Sequence, residues 1–245
     1  MGMQTKPTFL PNKGPIGNAP KELLKDVYSS YSRNMEIVDE RIQGRLGISK
    51  FDTTALSGPV LLEDQFWEND SSWHLMICTT KDVYKYDFTN SRFDILTPLY
   101  TTGKITISAG SLTIVQGSGT SWSSELKAGD YIKIGTGNVH SAATWYEVDS
   151  VDSNTQLTLT SAAAACSASG YTARQTFSGS GTDANQWDCD RMEDINLGAV
   201  WLATNGVDAP IRYTGTGQVQ AIANLPTGFT TCRYIKAYDS RCWFI

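Results

Sequence analysis

The sequence predicts an all-β protein built from a repeated hairpin unit, and three observations carry that expectation. Apolar runs of strand length, closed by Thr and turn residues and followed by a strand that ends in an aromatic residue, recur along the chain. Only one short segment has convincing helical spacing. Charged residues make up 18% of the chain, against roughly 25% in ordinary soluble domains, so the polar surface is drawn from Thr, Ser, Asn and Gly rather than from ion pairs. At 245 residues the chain is long enough to bury a core without disulfides or metals.

Residues 1–20 contain Pro7, Pro11, Pro15 and Pro20 with Gly14 and Gly17. That composition prevents regular structure and reads as an arm, either disordered or ordered against a neighbour. Pro20–Tyr31 is the helical segment. Proline suits the first turn, and Leu23, Leu24, Val27 and Tyr31 fall on one side. From Asn34 the pattern turns to β. Residues 34–45 read as two short strands about a turn at Asp39 and Glu40. Residues 73–87 read as a hairpin with its turn near Thr80–Asp82, and Tyr84 and Tyr86 share a face of its second strand.

The segments His74–Asp87 and Ala199–Gly215 follow one plan: an apolar strand, Thr with a polar turn, then a strand ending in an aromatic residue. A third run, Cys232–Tyr238, is followed by Asp239-Ser-Arg and Cys242-Trp-Phe-Ile. Repeated β hairpins with no helices between them predict propeller-like blades. Each blade buries its faces against its neighbours and is unstable alone. Three such units are too few to close a propeller, and Cys242-Trp-Phe-Ile reads as the middle of a strand, so the chain is expected to be truncated at its C-terminus.

Residues 103–174 interrupt the repeat with a stretch rich in Ser, Thr, Gly and Ala and poor in charge. Ile105 and Ile107 mark one strand, and Leu112, Ile114 and Val115 a second. Gly117-Ser-Gly-Thr-Ser-Trp reads as a turn, and Leu126–Gly135 as a turn feeding a strand. Residues 146–151 form a strand, Asp152-Ser-Asn a turn, and Gln156–Thr160 the returning strand, in which Leu157 and Leu159 alternate with threonines. About five short strands predict a small β-barrel or sandwich. The expected organisation is an arm and short helix over 1–31, propeller-like blades over 32–102, the inserted small β-domain over 103–174, and blades continuing over 175–245.

A net charge of -5 and the lack of any basic run argue against a nucleic-acid groove. The longest apolar stretches, such as Leu159–Cys166, are too short to insert into a membrane, and no secretory signal opens the chain. Cys78, Cys166, Cys189, Cys232 and Cys242 include no CxxC pair and are expected to be reduced, mostly buried small hydrophobes. With only His74 and His140 to join them, no metal site is expected. Gly179-Ser-Gly-Thr and Gly215-Thr-Gly lack the Lys-Ser/Thr of a phosphate loop and read as turns, so no cofactor is expected.

Catalysis finds little to work with. A triad needs a histidine beside a nucleophile and an acid. His74 reads as a packed or rim residue of an apolar strand, and His140 as an exposed loop residue. The densest acidic cluster is Trp187-Asp-Cys-Asp-Arg-Met-Glu-Asp, where Asp188, Asp190, Glu193 and Asp194 are candidates for paired-carboxylate glycan hydrolysis or Ca²⁺. The plainer reading is a solvated loop with Arg191 as counter-charge. Trp122, Trp145 and Trp187 are candidate glycan contacts, with core packing favoured over a sugar platform.

The run Ser32-Arg-Asn-Met-Glu-Ile-Val-Asp-Glu-Arg-Ile-Gln-Gly-Arg-Leu-Gly resembles the opening of β-propeller tail proteins of tailed bacteriophages. Gly58-Pro-Val, the Thr79–Tyr86 hairpin, Asp94-Ile-Leu-Thr-Pro and Ala203-Thr-Asn-Gly-Val-Asp-Ala-Pro follow in that family's order. Gly117-Ser-Gly-Thr-Ser-Trp, Leu126-Lys-Ala-Gly-Asp-Tyr-Ile and Val151-Asp-Ser-Asn-Thr-Gln-Leu-Thr-Leu resemble a small β-domain of phage virion proteins. The resemblance spans 32–245 in outline and implies a non-enzymatic virion structural protein of the tail, a nozzle, tail-tube or tail-tip component. It would be assembled in the host cytoplasm as a homo-oligomeric ring against other tail proteins. DNA would pass its mildly acidic channel without specific binding. A receptor- or glycan-binding tail module is the alternative.

Overall fold

The computed structural model describes residues 35–38, 41–44, 52, 54–137, 139–140, 143–182, 185–238 and 241–244. The arm and helix expected over 1–31, and the turn expected at Asp39 and Glu40, lie outside the described residues. Two compact units are distinguished, 1–51 and 52–245. In the first, β1 (Met35–Val38) and β2 (Arg41–Gly44) pair antiparallel with Val38 opposite Arg41, as the sequence pattern predicts.

The second unit begins with a four-stranded antiparallel meander in chain order: β3 (Val60–Trp67), β4 (Trp73–Thr79), β5 (Val83–Asp87) and β6 (Arg92–Ile95). An eight-stranded sheet follows. Its elements are β7 (Leu99–Tyr100), β8 (Lys104–Ile107), β9 (Ile114–Ser118), the one-turn helix α1 (Trp122–Glu125), β10 (Tyr131–Ile134), β11 (Tyr146–Ser153), β12 (Gln156–Leu159), β13 (Cys166–Ser169) and β14 (Tyr171–Arg174). They lie in the order β13-β8-β9-β12-β11-β10-β14-β7. A second four-stranded meander, β15 (Asp188–Asp194), β16 (Gly198–Thr204), β17 (Ile211–Tyr213) and β18 (Gln220–Ala221), repeats the order of the first. A last antiparallel pair joins β19 (Ile235–Tyr238) and β20 (Arg241–Phe244). Among the described residues the chain is all-β, made of several antiparallel sheets, none of them closed.

Two-sided burial explains why the central strands read as unbroken apolar runs. In β16, Ala199, Trp201 and Ala203 point to one core while Val200 and Leu202 point to another. In β4, Met76 and Cys78 take one side and Leu75 and Ile77 the other. The side chains Met76, Cys78 and Val83 of the first meander share a core with Trp201, Ala203, Ile211 and Tyr213 of the second. The opposite face of β16 packs through Val200 and Leu202 on Ile235 of β19, with Phe244 of β20 at the margin of that cluster. Polar ties reinforce the contact between the meanders. The Trp201 indole N–H donates to Asp64 Oδ2 at 2.8 Å, and Lys85 Nζ donates to the Tyr213 hydroxyl at 3.1 Å. Gly215 sits at φ +91°, a left-handed backbone conformation that favours glycine, beside the Glu68 carboxylate.

The eight-stranded sheet wraps its own core of Ile105, Ile107, Val115, Trp122, Ile132, Leu157, Leu159 and Tyr171. Leu157 and Leu159 point inward as their alternation predicts. Three strands more than expected are present. β7 has only two residues and β13 is Cys-Ser-Ala-Ser, so pairing with neighbours decides both, whereas β14 carries Tyr171 and Thr172 and is buried along its length. The turn expected over 117–122 is corrected: Gly117 and Ser118 end β9, and Trp122 opens α1. β11 likewise runs through Asp152 to Ser153, helped by two register shifts against β12.

Candidate functional site

The β4–β5 loop is a four-residue turn that ties itself together. Thr79 Oγ1 accepts the N–H groups of Lys81 and Asp82, and the Thr79 N–H donates to the Asp82 carbonyl at 2.8 Å. That geometry delivers the Asp82 carboxylate to a fully buried position. It accepts the Thr97 hydroxyl at 2.8 Å, the Tyr84 hydroxyl at 3.3 Å and the Ser57 hydroxyl. The loop of the second meander solves the same problem with different residues. Asn205 Oδ1 accepts the N–H groups of Val207 and Asp208, and Asp208 in turn accepts the Ser178 N–H at 2.7 Å.

Asp82 also meets Arg174, the last residue of β14, with Nε 3.3 Å from Oδ1. The two side chains are 0% and 4% exposed, and the approach is an ion pair rather than a directed hydrogen bond, because the Nε–H finds no acceptor in line. The guanidinium lies between two rings, 4.3 Å from the Tyr131 centroid and 4.8 Å from that of Trp145. Trp145 is fixed by its indole N–H, which donates to the His140 carbonyl at 3.2 Å. A cavity of about 190 Å³ opens here, lined by Ser57, Tyr84, Tyr131, Ala143, Trp145 and Arg174 among others. Burial, and secondarily the Asp82 charge, pushes the Tyr84 hydroxyl up to about 12. The sequence does hold a signal for this site. Arg174 is the only charged residue between Asp152 and Asp183, which marks it out without naming its partner, and a charge needs one only once it is buried.

The sequence candidates fare differently. Trp122 is fully buried, and its indole N–H donates to the Tyr171 hydroxyl at 2.9 Å. Trp187 is 6% exposed and donates to the Thr79 carbonyl at 2.9 Å. Neither ring is open to a sugar: their area is spent in the cores, the reading favoured over glycan contact. Trp145 is half-buried with one face against Arg174. His74 pairs with Glu68 and stacks on Phe66 at the edge of the first meander. His140 is partly buried rather than exposed, because its backbone bridges to Asp94.

The acidic cluster is a strand, not the loop expected. Asp188 to Asp194 forms β15, paired over its whole length with β16. Its carboxylates serve the next sheet. Asp188 Oδ2 accepts the Ile235 N–H at 2.9 Å, and Asp190 Oδ2 accepts the Ala237 N–H at 3.0 Å. Asp188 pairs with Lys236 as well, and Glu193 with Arg191. Among the described residues, no three His, Cys, Asp or Glu side chains gather to hold a metal ion, and no helix is long and apolar enough to cross a membrane.

All five cysteines are free thiols. Burial pushes Cys78 well above the ordinary 9.0, and Cys189 to about 12. The folded chain therefore holds these protons, and the Tyr84 proton, at pH values where the unfolded chain releases them. Their contribution to stability is complete below about pH 9 and falls as pH rises toward about 12. Urea unfolding at pH about 8 and about 10.5 is expected to show a lower midpoint at the higher pH, with Cys78 and Cys189 unlabelled by iodoacetamide in the folded chain at the lower. Equal midpoints, or rapid native labelling of Cys78, would contradict this account.

Comparison with family models, with characterised proteins and with solved structures gives no match.

Proposed function

We propose that this chain is a structural subunit of a bacteriophage tail, working by packing against other virion proteins as part of a homo-oligomeric ring. In this reading the two meanders are propeller-like blades, and the eight-stranded sheet is a small β-domain inserted between them. The observation that carries it is serial stacking. The first meander packs on the second, and the second packs its other face on the β19–β20 pair. Sheets that bury both faces against like units are construction elements, and each interface rests on apolar area rather than on a catalytic constellation. The outward side of β19–β20 supports the same reading. Tyr238 is 76% and Trp243 55% exposed, beside the exposed Lys236 and Arg241, so the alternation that seats β19 on β16 would seat a further sheet on this side. The tail assignment itself rests on the resemblance of the run 32–47 and the blade motifs. The net charge of -5 suits a conduit that DNA crosses without sticking.

Light scattering of the purified full-length protein, with negative-stain imaging of intact particles, tests the proposal. Rings held by interfaces above about 1,000 Å², and density at the tail, are expected. A monomer at every concentration that is absent from particles would overturn it.

A further inference from the structure

We propose that the cavity beside Arg174 is a binding site for a small carboxylate. An arginine guanidinium carries five N–H donors in a planar fork. Here Asp82 approaches Nε at 3.3 Å, and that buried Nε–H makes no directed hydrogen bond among the described residues. A side chain 4% exposed keeps a donor unspent at a cost, unless something enters from the cavity it lines. The rings of Tyr131 and Trp145 hold the fork flat, so its orientation is set before any ligand arrives.

Asp82 does not close the site. Its own oxygens are engaged by Thr97, Ser57 and Tyr84, and its approach to the guanidinium is at Nε. Two parallel N–H groups match the two oxygens of a carboxylate better than any single acceptor. The walls at Leu56, Tyr131 and Trp145 lower the local dielectric and strengthen that contact. About 190 Å³ equals roughly six waters at liquid density, enough for a small acid and too little for a folded segment. Ala55 lies at the exposed rim.

Titration calorimetry and thermal melts of the full chain test this with sodium acetate and sodium glucuronate, at constant ionic strength set by sodium chloride. Both carboxylates are expected to give saturable heat and to raise Tm beyond chloride. Acetamide, of the same shape but uncharged, is expected to bind at least about tenfold more weakly. Tighter acetate assigns a simple acid, and tighter glucuronate a sugar acid. Ala55→Leu narrows the rim without touching the ion pair and is expected to abolish the response. Arg174→Met should abolish it too, and where that variant fails to fold the Ala55→Leu result decides. An equal response to chloride or acetamide, no saturable heat, or unchanged binding by Ala55→Leu would overturn the proposal.

Discussion

Replacing Asp82 with alanine is expected to cost about 3–5 kcal/mol of stability, which lowers Tm by roughly 6–20 °C in a domain of this size. The carboxylate is fully buried and is the ionic partner of an arginine that is itself 4% exposed. Removing it leaves a desolvated positive charge between Tyr131 and Trp145 with no counter-ion. It also takes from the Thr97 hydroxyl its 2.8 Å acceptor, leaving it only the Val83 carbonyl at 3.5 Å. Asp82→Asn keeps the shape and one acceptor oxygen but loses the charge and turns the other oxygen into a donor, so a loss smaller than that of alanine is expected. The informative partner is the double variant with Arg174→Met. A buried ion pair replaced on both sides is often near neutral, because the desolvation penalty disappears with the charges. Most of the loss should therefore be recovered, and the coupling energy of the cycle should be large. Equilibrium denaturation of the four proteins measures it. A single Asp82→Ala variant within about 1 kcal/mol of wild type would mean that Arg174 is solvated, and the buried-pair account would fail.

The central strands β4 and β16 of the two meanders were legible because two-sided burial writes a continuous apolar run. His74–Thr79 and Ala199–Thr204 carry it, and the Thr that ends each run is where the loop geometry begins. The strand β13 was not legible for the converse reason. Cys166-Ser-Ala-Ser has no apolar face of its own and is a strand only because β8 pairs with it. The Arg174 site was hidden by distance in sequence. Asp82 closes a hairpin in the first meander and Arg174 ends a strand of the eight-stranded sheet. Nothing in either local pattern announces the other. The tryptophans show a related limit: a ring that packs a core and a ring that stacks on a sugar have the same letter, and only burial separates Trp122 and Trp187 from a platform.

The cluster at 188–194 is a strand although its sequence resembles a solvated loop, because acidic alternation looks like a loop until something on the far side uses it. Its carboxylates dock the last hairpin: Asp188 and Asp190, two residues apart, accept N–H groups of Ile235 and Ala237, also two residues apart. One side of β19 is laddered to β20, and these side chains stand in for a strand on the other. The double variant Asp188→Ala with Asp190→Ala is therefore expected to loosen β19–β20 by about 2–6 kcal/mol, from about 1–3 for each N–H left without an acceptor. Asp188 also loses its pairing with Lys236. Amide exchange at Ile235 and Ala237 should accelerate while exchange in β4 and β5 stays put, because the fault is confined to one edge. Asparagine at both positions retains a side-chain oxygen and should preserve most of the protection. That contrast separates the two meanings of the cluster. A hydrolytic carboxylate pair is inactivated by the amide as surely as by alanine, whereas a docking oxygen survives it. Unchanged exchange at Ile235 and Ala237 in the alanine variant would show that the hairpin is held by Val200, Leu202 and Phe244 alone, and the acidic strand would then be without an assigned task.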